Sequence, residues 1–561
     1  MRRLFGISIL SVFVLSLLTL PVAQASPAKD SPPPQFRAFW VDAFGPGIYT
    51  EAQIDKLVTE AKAANMNAIV AQVGRRGDCF CNRAIMPRTQ AAIDPAPFDP
   101  LETLIQKAHA QGIQVHAWVI ATSIWNYLTP PLDPNHVFNT HGPSKIGEEN
   151  WIMLRSDGAN RAGADYLLDP GHPDAADYIV KMLTSVVANY DVDGINFDRI
   201  RYPDYNLVIS GTTVSSWGYN PVAVARFQAA TGRTDTPAPN DPDWMQWRRD
   251  QVTNIVRRVY LESYALKPHV RVSAATITYG YGPQSVTGGY EGTRTYSEVL
   301  QDWRGWMQEG ILDLNIPMNY KREHFVTEPN NQQRMYQEWN EFTKDNQYNR
   351  QAAIGSAAYL NYITGTVTQV RKALEPSAAG NPSYGYAAYS YRVPDALANA
   401  GQRSGDASRV ELIRALTQPS EYDPLTPPVF ANPAPVPAMP WKTQPTKGHL
   451  MGTVKTPDGL PFDQVRVDLY LHHGNTYIGS AITNGDGWFG FVDLAPGRYK
   501  VRVDPTRAHG PHQVRNTDVE AGEVAVVELT PFPWGQEGHR HGPHHDGFDP
   551  AEPEEFPNGE R

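Results

Sequence analysis

From residue 36 to about residue 416 the chain alternates short apolar runs with longer amphipathic stretches. The spacing predicts strands over 36–43, 68–73, 113–121, 193–199, 270–277, 311–319, 352–357 and 384–389. Helices are predicted over 50–64, 100–111, 174–190, 245–265, 297–308, 331–346 and 366–374, and the stretch 394–416 is mostly helical. In the first helix, Thr50 is placed as N-cap and Ile54, Leu57, Val58 and Ala61 share one face. Gly112 stops the second. Eight strands that alternate with helices imply a parallel sheet, and eight is the number that closes a (β/α)8 barrel. An open doubly wound sheet is the alternative. It is disfavoured because no Gly-rich phosphate loop follows the first strand.

The pattern changes after residue 417. Residues 418–447 hold nine prolines (419, 424, 427, 428, 433, 435, 437, 440 and 445) and predict an extended, semi-rigid linker. Phe430 and Trp441 within it are expected to lie against the barrel. Over 448–530, short alternating strands with turns at Asp458-Gly459, Gly485-Asp486-Gly487 and Pro496-Gly497 predict a small β-sandwich. Residues 531–561 are polar and carry His539, His541, His544 and His545, which predicts a disordered tail rather than a metal site. At the other end, Met1-Arg2-Arg3 precedes an apolar run over 4–20, then Pro21 and Ala23-Gln24-Ala25. This is the pattern of a secretory signal peptide cleaved after Ala25, so a secreted or periplasmic protein of the cell envelope is expected. An uncleaved anchor is the competing reading, although the run is short for a membrane span.

Composition narrows the function. The 561 residues carry 49 Lys+Arg against 59 Asp+Glu, a net charge of −10, so no basic footprint for nucleic acid exists. Thirteen Trp and 27 Tyr provide flat rings that can stack on sugar faces. Two cysteines, Cys79 and Cys81, complete no zinc site, and their spacing is read as unpaired thiols. In a parallel barrel the chemistry sits where the strands end. Asp42 closes strand one. Arg75 and Asp78 follow strand two, and His116 and Trp118 are placed at the end of strand three. Asn196, Asp198, Arg201 and Tyr202 lie on or past strand four, Tyr320 and Glu323 past strand six, Tyr391 past strand eight. Carboxylates, arginines and rings on one rim suit glycosidic cleavage, in which one carboxyl protonates the leaving oxygen and the other attacks carbon or activates water. Asp198 is the leading catalytic candidate, with Glu323 as acid and Asp42 as a further carboxylate. The other nine residues are assigned to the substrate. No His-x-His pair occurs in the barrel, so a metal-dependent hydrolase is disfavoured and no cofactor is expected.

The stretches FRAFWVD (36–42), NAIVAQVGRRGD (67–78), HAWV (116–119), LDPGHPDAADY (168–178), DGINFDRIRYP (193–203) and IPMNY (316–320) resemble the glycosyl-hydrolase-like 10 family of bacterial envelope proteins. The resemblance spans roughly residues 35–400. It implies a TIM barrel, glycoside hydrolysis with peptidoglycan glycan as substrate class, and the family's Asp at Asp198. Cys79-Phe80-Cys81 departs from the family pattern. GTV, DGLPF, VDLY, TNGDGWFGF and LAPGRYKV in the last domain resemble the carboxypeptidase-regulatory-like, transthyretin-type sandwich, an accessory module expected to be dispensable for bond cleavage. A glycan-binding protein on the same barrel, without a working acid, is the alternative function, because no Glu follows strand four or five.

Overall fold

A computed structural model describes residues 32–45, 47–503 and 513–531. The stretch expected to be a signal peptide and the four histidines His539, His541, His544 and His545 lie outside these residues. Eight parallel strands form a closed ring: β1 (Phe36–Val41), β2 (Ala68–Gly74), β3 (Gln114–Ile120), β4 (Gly194–Asp198), β5 (Arg271–Ile277), β6 (Leu314–Met318), β7 in two pieces (Gln351–Ala352 and Ile354–Ala357), and β8 (Gly385–Tyr389). β8 pairs with β1 and β5 with β6, which leaves no open edge. Helices α1 (Glu51–Ala63), α2 (Pro100–His109), α3 (Pro173–Asn189), α4 (Pro242–Leu266), α5 (Trp303–Glu309), α6 (Gln332–Asp345), α7 (Ile363–Leu374) and α8 (Gly405–Thr417) surround it. The fold is the expected (β/α)8 barrel. α1 begins as its sequence dictates, with the Thr50 side chain accepting from the Gln53 N–H and Ile54, Leu57, Val58 and Ala61 buried.

Side chains alternate across each strand. Phe39, Val41, Ile69 and Ala71 face the helices, while Phe36, Ala38, Trp40, Ala68, Val70, Trp118, Ile120, Leu314, Ile316 and Ala387 fill the barrel.

The proline-rich segment is not a free strut. It crosses the N-terminal end of the barrel, as Phe430 and Trp441 suggested. Arg37, at the start of β1, donates to the Asn432 carbonyl (2.8 Å) and lies 4.2 Å over the Phe430 ring. Asn67 donates to Ala434 (2.9 Å), Arg271 to Pro437 (2.6 Å) and Gln351 to Ala438 (2.7 Å). Val436 packs onto the interior cluster. The first residues of the strands thus bond the backbone carbonyls of the segment, which offers few N–H groups of its own. A buried ion pair ends the crossing: Lys442 Nζ stands 2.6 Å from Asp313 Oδ2, and Trp441 Nε1 donates to Asp313 Oδ1 (2.6 Å).

Two sheets follow and share a buried cluster that includes Leu450, Val467, Phe489, Val501 and Leu529. One holds Gly448–Val454 between Trp488–Leu494 and Val524–Leu529; the other is ordered Tyr477–Ile482, Arg466–Leu471, Gly497–Val503, Val514–Val519. This sandwich is seated on the barrel. Arg226 grips Asp463 through two bonds (2.6 and 2.8 Å), Arg258 pairs with Asp486 (2.5 Å) and Arg350 with Asp493 (2.8 Å). Trp488 is part of the barrel's outer apolar cluster, and Met451, Val492 and Val524 pack on it.

Removing one member of a buried ion pair leaves the other charge without compensation, at a cost of about 3–5 kcal/mol. Lys442→Ala is therefore expected to lower the unfolding free energy in urea by about that amount. A loss below about 1 kcal/mol would contradict the role given to this pair.

Candidate active site at the C-terminal mouth

The inward row of each strand leads to the mouth. On β1 it runs Phe36, Ala38, Trp40 and then Asp42; on β4 it runs Gly194, Asn196, Asp198. On β6 it leads through Ile316 and Met318 to Tyr320, and on β8 through Ala387 to Tyr389. Four of these rings make a floor. Tyr320 and Tyr389 stack at 5.3 Å and 15°, Trp40 lies 6.3 Å from each, and Trp118 lies 6.2 Å from Tyr389 and 6.5 Å from Trp40. Tyr359 adds an edge 5.8 Å from Tyr389.

Asp42 and Asp198 stand on this floor. Asp198 Oδ1 accepts the Arg199 N–H (2.6 Å), and Arg201 Nη1 lies 3.8 Å away. The chain turns at Arg199, whose φ of 51° is in the left-handed region. Asp42 Oδ1 accepts from Arg392 Nε (2.9 Å) and from the Phe44 N–H (3.2 Å), while Oδ2 is buried without a partner. Both carboxylates act on the same two phenols. Burial, then Tyr389, Asp198, Tyr359 and Asp42, push Tyr320 well above its ordinary value. Burial, then Asp42, Asp198 and Tyr359, push Tyr389 up. Both rings therefore keep their protons and remain hydrogen-bond donors.

The mouth continues on both sides. Beside Asp198, a cleft of about 250 Å³ is lined by Asp165, Arg199, Arg201, Asp204 and Tyr205, among others. Tyr279 donates to Asp204 Oδ2 (2.8 Å), and Asp204 Oδ1 has no partner. Beside Asp42, Arg76 lies between Phe44 (5.8 Å) and Tyr127 (4.9 Å), rings that are 52% and 51% exposed.

The expected site residues divide. Asp42, Asp198, Trp118 and Tyr320 come together, with Arg201 at the edge. Asn196 lies beneath Asp198 and donates to Ser273 Oγ (2.9 Å), leaving Oδ1 unpaired. Arg75 reaches back to the Ala43 carbonyl and lies over Phe80 (5.2 Å). Asp78 closes the turn after β2, accepting from the Thr89 hydroxyl (2.5 Å) and the Arg76 N–H (3.2 Å). Four assignments are displaced. Glu323 is held between α6 and α7 by Lys372 (2.5 Å) and Gln333 (2.8 Å), because β6 has ended and the chain has turned away from the barrel axis. Tyr391 points to α1 and α8, donating to Glu60 (2.5 Å) beneath Arg409 (4.4 Å). Tyr202 is fully buried, 5.7 Å from the Arg248 guanidinium. His116 is the third residue of β3, deep in the barrel; it meets Phe36 at 5.0 Å and leaves room only for Gly194 opposite.

Reasoning from the sequence missed Asp204, Arg392 and the inward role of Tyr389. Parity along β8 distinguishes Tyr389 from Tyr391; no sequence signal marks Arg392 as the partner of Asp42. Cys79 and Cys81 are not free thiols but form a disulfide. The loop between them folds back, so the pair does not lie on an extended strand. Among the described residues, no three His, Cys, Asp or Glu side chains gather as a metal site.

The family described as Glycosyl hydrolase-like 10 matches residues 35–359, more than half of the chain. The Glycosyl hydrolase YngK of Bacillus subtilis (strain 168) is 26% identical over 274 residues, 47% of this chain and 48% of that protein. The Glycosyl hydrolase DigH of Escherichia coli (strain K12) is 25% identical over 290 residues, 49% of this chain and 58% of that protein. The match spans about half the length of these curated relatives. The PgaB (BpsB) glycoside hydrolase domain from Bordetella bronchiseptica aligns over 67% of this chain and 98% of its own, at 16% identity and a TM-score of 0.44. The chain belongs to the glycosyl hydrolase-like 10 family.

The displaced His116 has a measurable consequence. Burial, then the Arg271 charge, pull its imidazole from 6.5 to about 3. The unfolded chain takes up this proton near pH 6.5 and the native chain only near 3, so the stability it contributes is full above that window and is lost as the pH falls through it. His116→Gln is expected to flatten the pH dependence of unfolding between about pH 6.5 and about pH 4 by one proton, or about 1.4 kcal/mol per pH unit. Equal slopes in the two proteins would contradict a buried neutral imidazole.

Proposed function

We propose that this family member is an exported hydrolase that cleaves O-glycosidic bonds in a cell-envelope polysaccharide, with peptidoglycan glycan strands as the substrate class. The observation that carries this reading is the convergence of Asp42 and Asp198, from β1 and β4, on one pair of protonated phenols above a floor of tryptophans. With Trp40 and Trp118 buried beneath, the half-buried rings of Tyr320, Tyr359 and Tyr389 offer their surface to the apolar face of a sugar, and the phenols donate to hydroxyls. Asp198, beside Arg201, acts as the anion that attacks or stabilises the anomeric carbon. Asp42, buried against Arg392, holds that arginine at the mouth and acts on the Tyr389 phenol. The apolar leader over 4–20 and the Cys79–Cys81 disulfide support export to an oxidising compartment. Among the described residues, no helix is long and apolar enough to cross a membrane.

A second reading keeps the glycan and drops the cleavage. Both carboxylates stand near arginines, Asp42 at 2.9 Å from Arg392 and Asp198 at 3.8 Å from Arg201, an arrangement that also suits holding sugar hydroxyls without bond cleavage.

Reducing-end release from purified glycan strands separates the two. Asp198→Asn is expected to lower turnover by at least about a hundredfold, and Asp42→Asn by about tenfold or more, with glycan affinity within a few-fold of the parent. Glu323→Gln is expected to leave turnover unchanged. Asp198→Asn activity within several-fold of the parent would sink the assignment. Tight binding without release by the unmodified protein would establish the second reading.

A further inference from the structure

At the end of the barrel opposite the mouth, a second cavity of about 610 Å³ lies between the strand starts, the crossing segment and the sandwich. Ligand pockets fall at about 300–1,000 Å³, so it has room for one or two pyranose rings. Its walls combine ring surface with amides. Trp441 is half-buried, and its orientation is fixed by the bond from its indole N–H to Asp313 (2.6 Å). The Arg350 guanidinium lies 5.0 Å from that ring. Tyr348, 48% exposed, and Tyr384 add two more rings. Gln351 and Gln444 line the same space. Gln351 is buried, with its amide nitrogen spent on the Ala438 carbonyl and its amide oxygen without a partner. Nε of the equally buried Arg350 is also unpaired.

The geometry points to a second carbohydrate site at the foot of the barrel, which takes a pyranose segment of a polysaccharide with one sugar face against Trp441 or Tyr348. Rings with side-chain amides are the partners that sugar hydroxyls and acetamido groups use. Arg350 is spent on Asp493 (2.8 Å), and the exposed Lys447 also lines the cavity. The site does not depend on the mouth's chemistry. Barrel, crossing segment and sandwich each contribute a wall: Arg350 and Gln351 from β7 and its approach, Trp441 and Gln444 from the segment, and Asp493 from the sandwich.

The test is isothermal titration of the full chain carrying Asp198→Asn, to stop any turnover, with the hexasaccharide of β-1,4-linked N-acetylglucosamine. Two binding events are expected. Adding Tyr348→Ala and Gln444→Ala should weaken one of them at least tenfold and leave the other within twofold. Both side chains are exposed and neither supports the Asp313 cluster, so folding is expected to be unaffected. Trp441→Phe, which keeps a ring, should retain the second event. Absence of any binding event that the double substitution weakens would overturn the proposal. Because the readout is binding rather than cleavage, a mouth that proves catalytically silent leaves the result interpretable.

Discussion

Pairing of β8 with β1 closes the sheet, and the rest of the molecule follows from that closure. A closed parallel barrel has two unlike ends. At the end where strands finish, alternate residues of every strand converge, which places Asp42, Asp198, Tyr320 and Tyr389 together although they are far apart in sequence. At the end where strands begin, the interior would be open to water. The proline-rich segment covers it, with Val436 against the core and its carbonyls satisfied by Arg37, Asn67, Arg271 and Gln351. Burial is deep enough there to pull Arg37 and Arg271 down to about 10. The Lys442–Asp313 pair then fixes where the segment leaves the barrel, and hence where the sandwich can sit.

The two ends are built from different materials. The foot relies on backbone carbonyls, paired charges and a few rings. The mouth carries four aromatic rings in mutual contact under two carboxylates, each with an arginine at hand. Half-buried tyrosine rings favour a ligand with apolar faces, whereas carboxylates favour one that develops positive charge during reaction. A pyranose passing through an oxocarbenium-like state meets both demands.

The architecture was legible because period-2 and period-3.6 patterns alternate cleanly and the strand count is the one that closes. At the site, legibility followed depth along a strand. Asp42, Asp198 and Tyr320 stand at or just past strand ends in phase with the inward row, and the alternation extrapolates to them. His116 failed because it is the third residue of β3, mid-strand in the expected 113–121 as in the observed Gln114–Ile120, which puts the imidazole beneath Trp118 rather than at the rim. Glu323, Tyr202 and Tyr391 failed because each lies beyond its strand, where turns and not the pleat decide direction. Asp204 and Arg392 were invisible for the same reason. The disulfide was missed because the spacing was judged for an extended chain, whereas the segment is a loop.

The most direct measurement is a crystal structure of the Asp198→Asn protein with a bound oligosaccharide of the envelope glycan. The account predicts a sugar ring against Tyr359 and Tyr389, with the scissile linkage beside residue 198 and hydroxyls bonded by Tyr320. A saccharide that leaves this floor empty and sits beside Glu323, or one whose linkage atoms lie beyond hydrogen-bond reach of both positions 42 and 198, would contradict it.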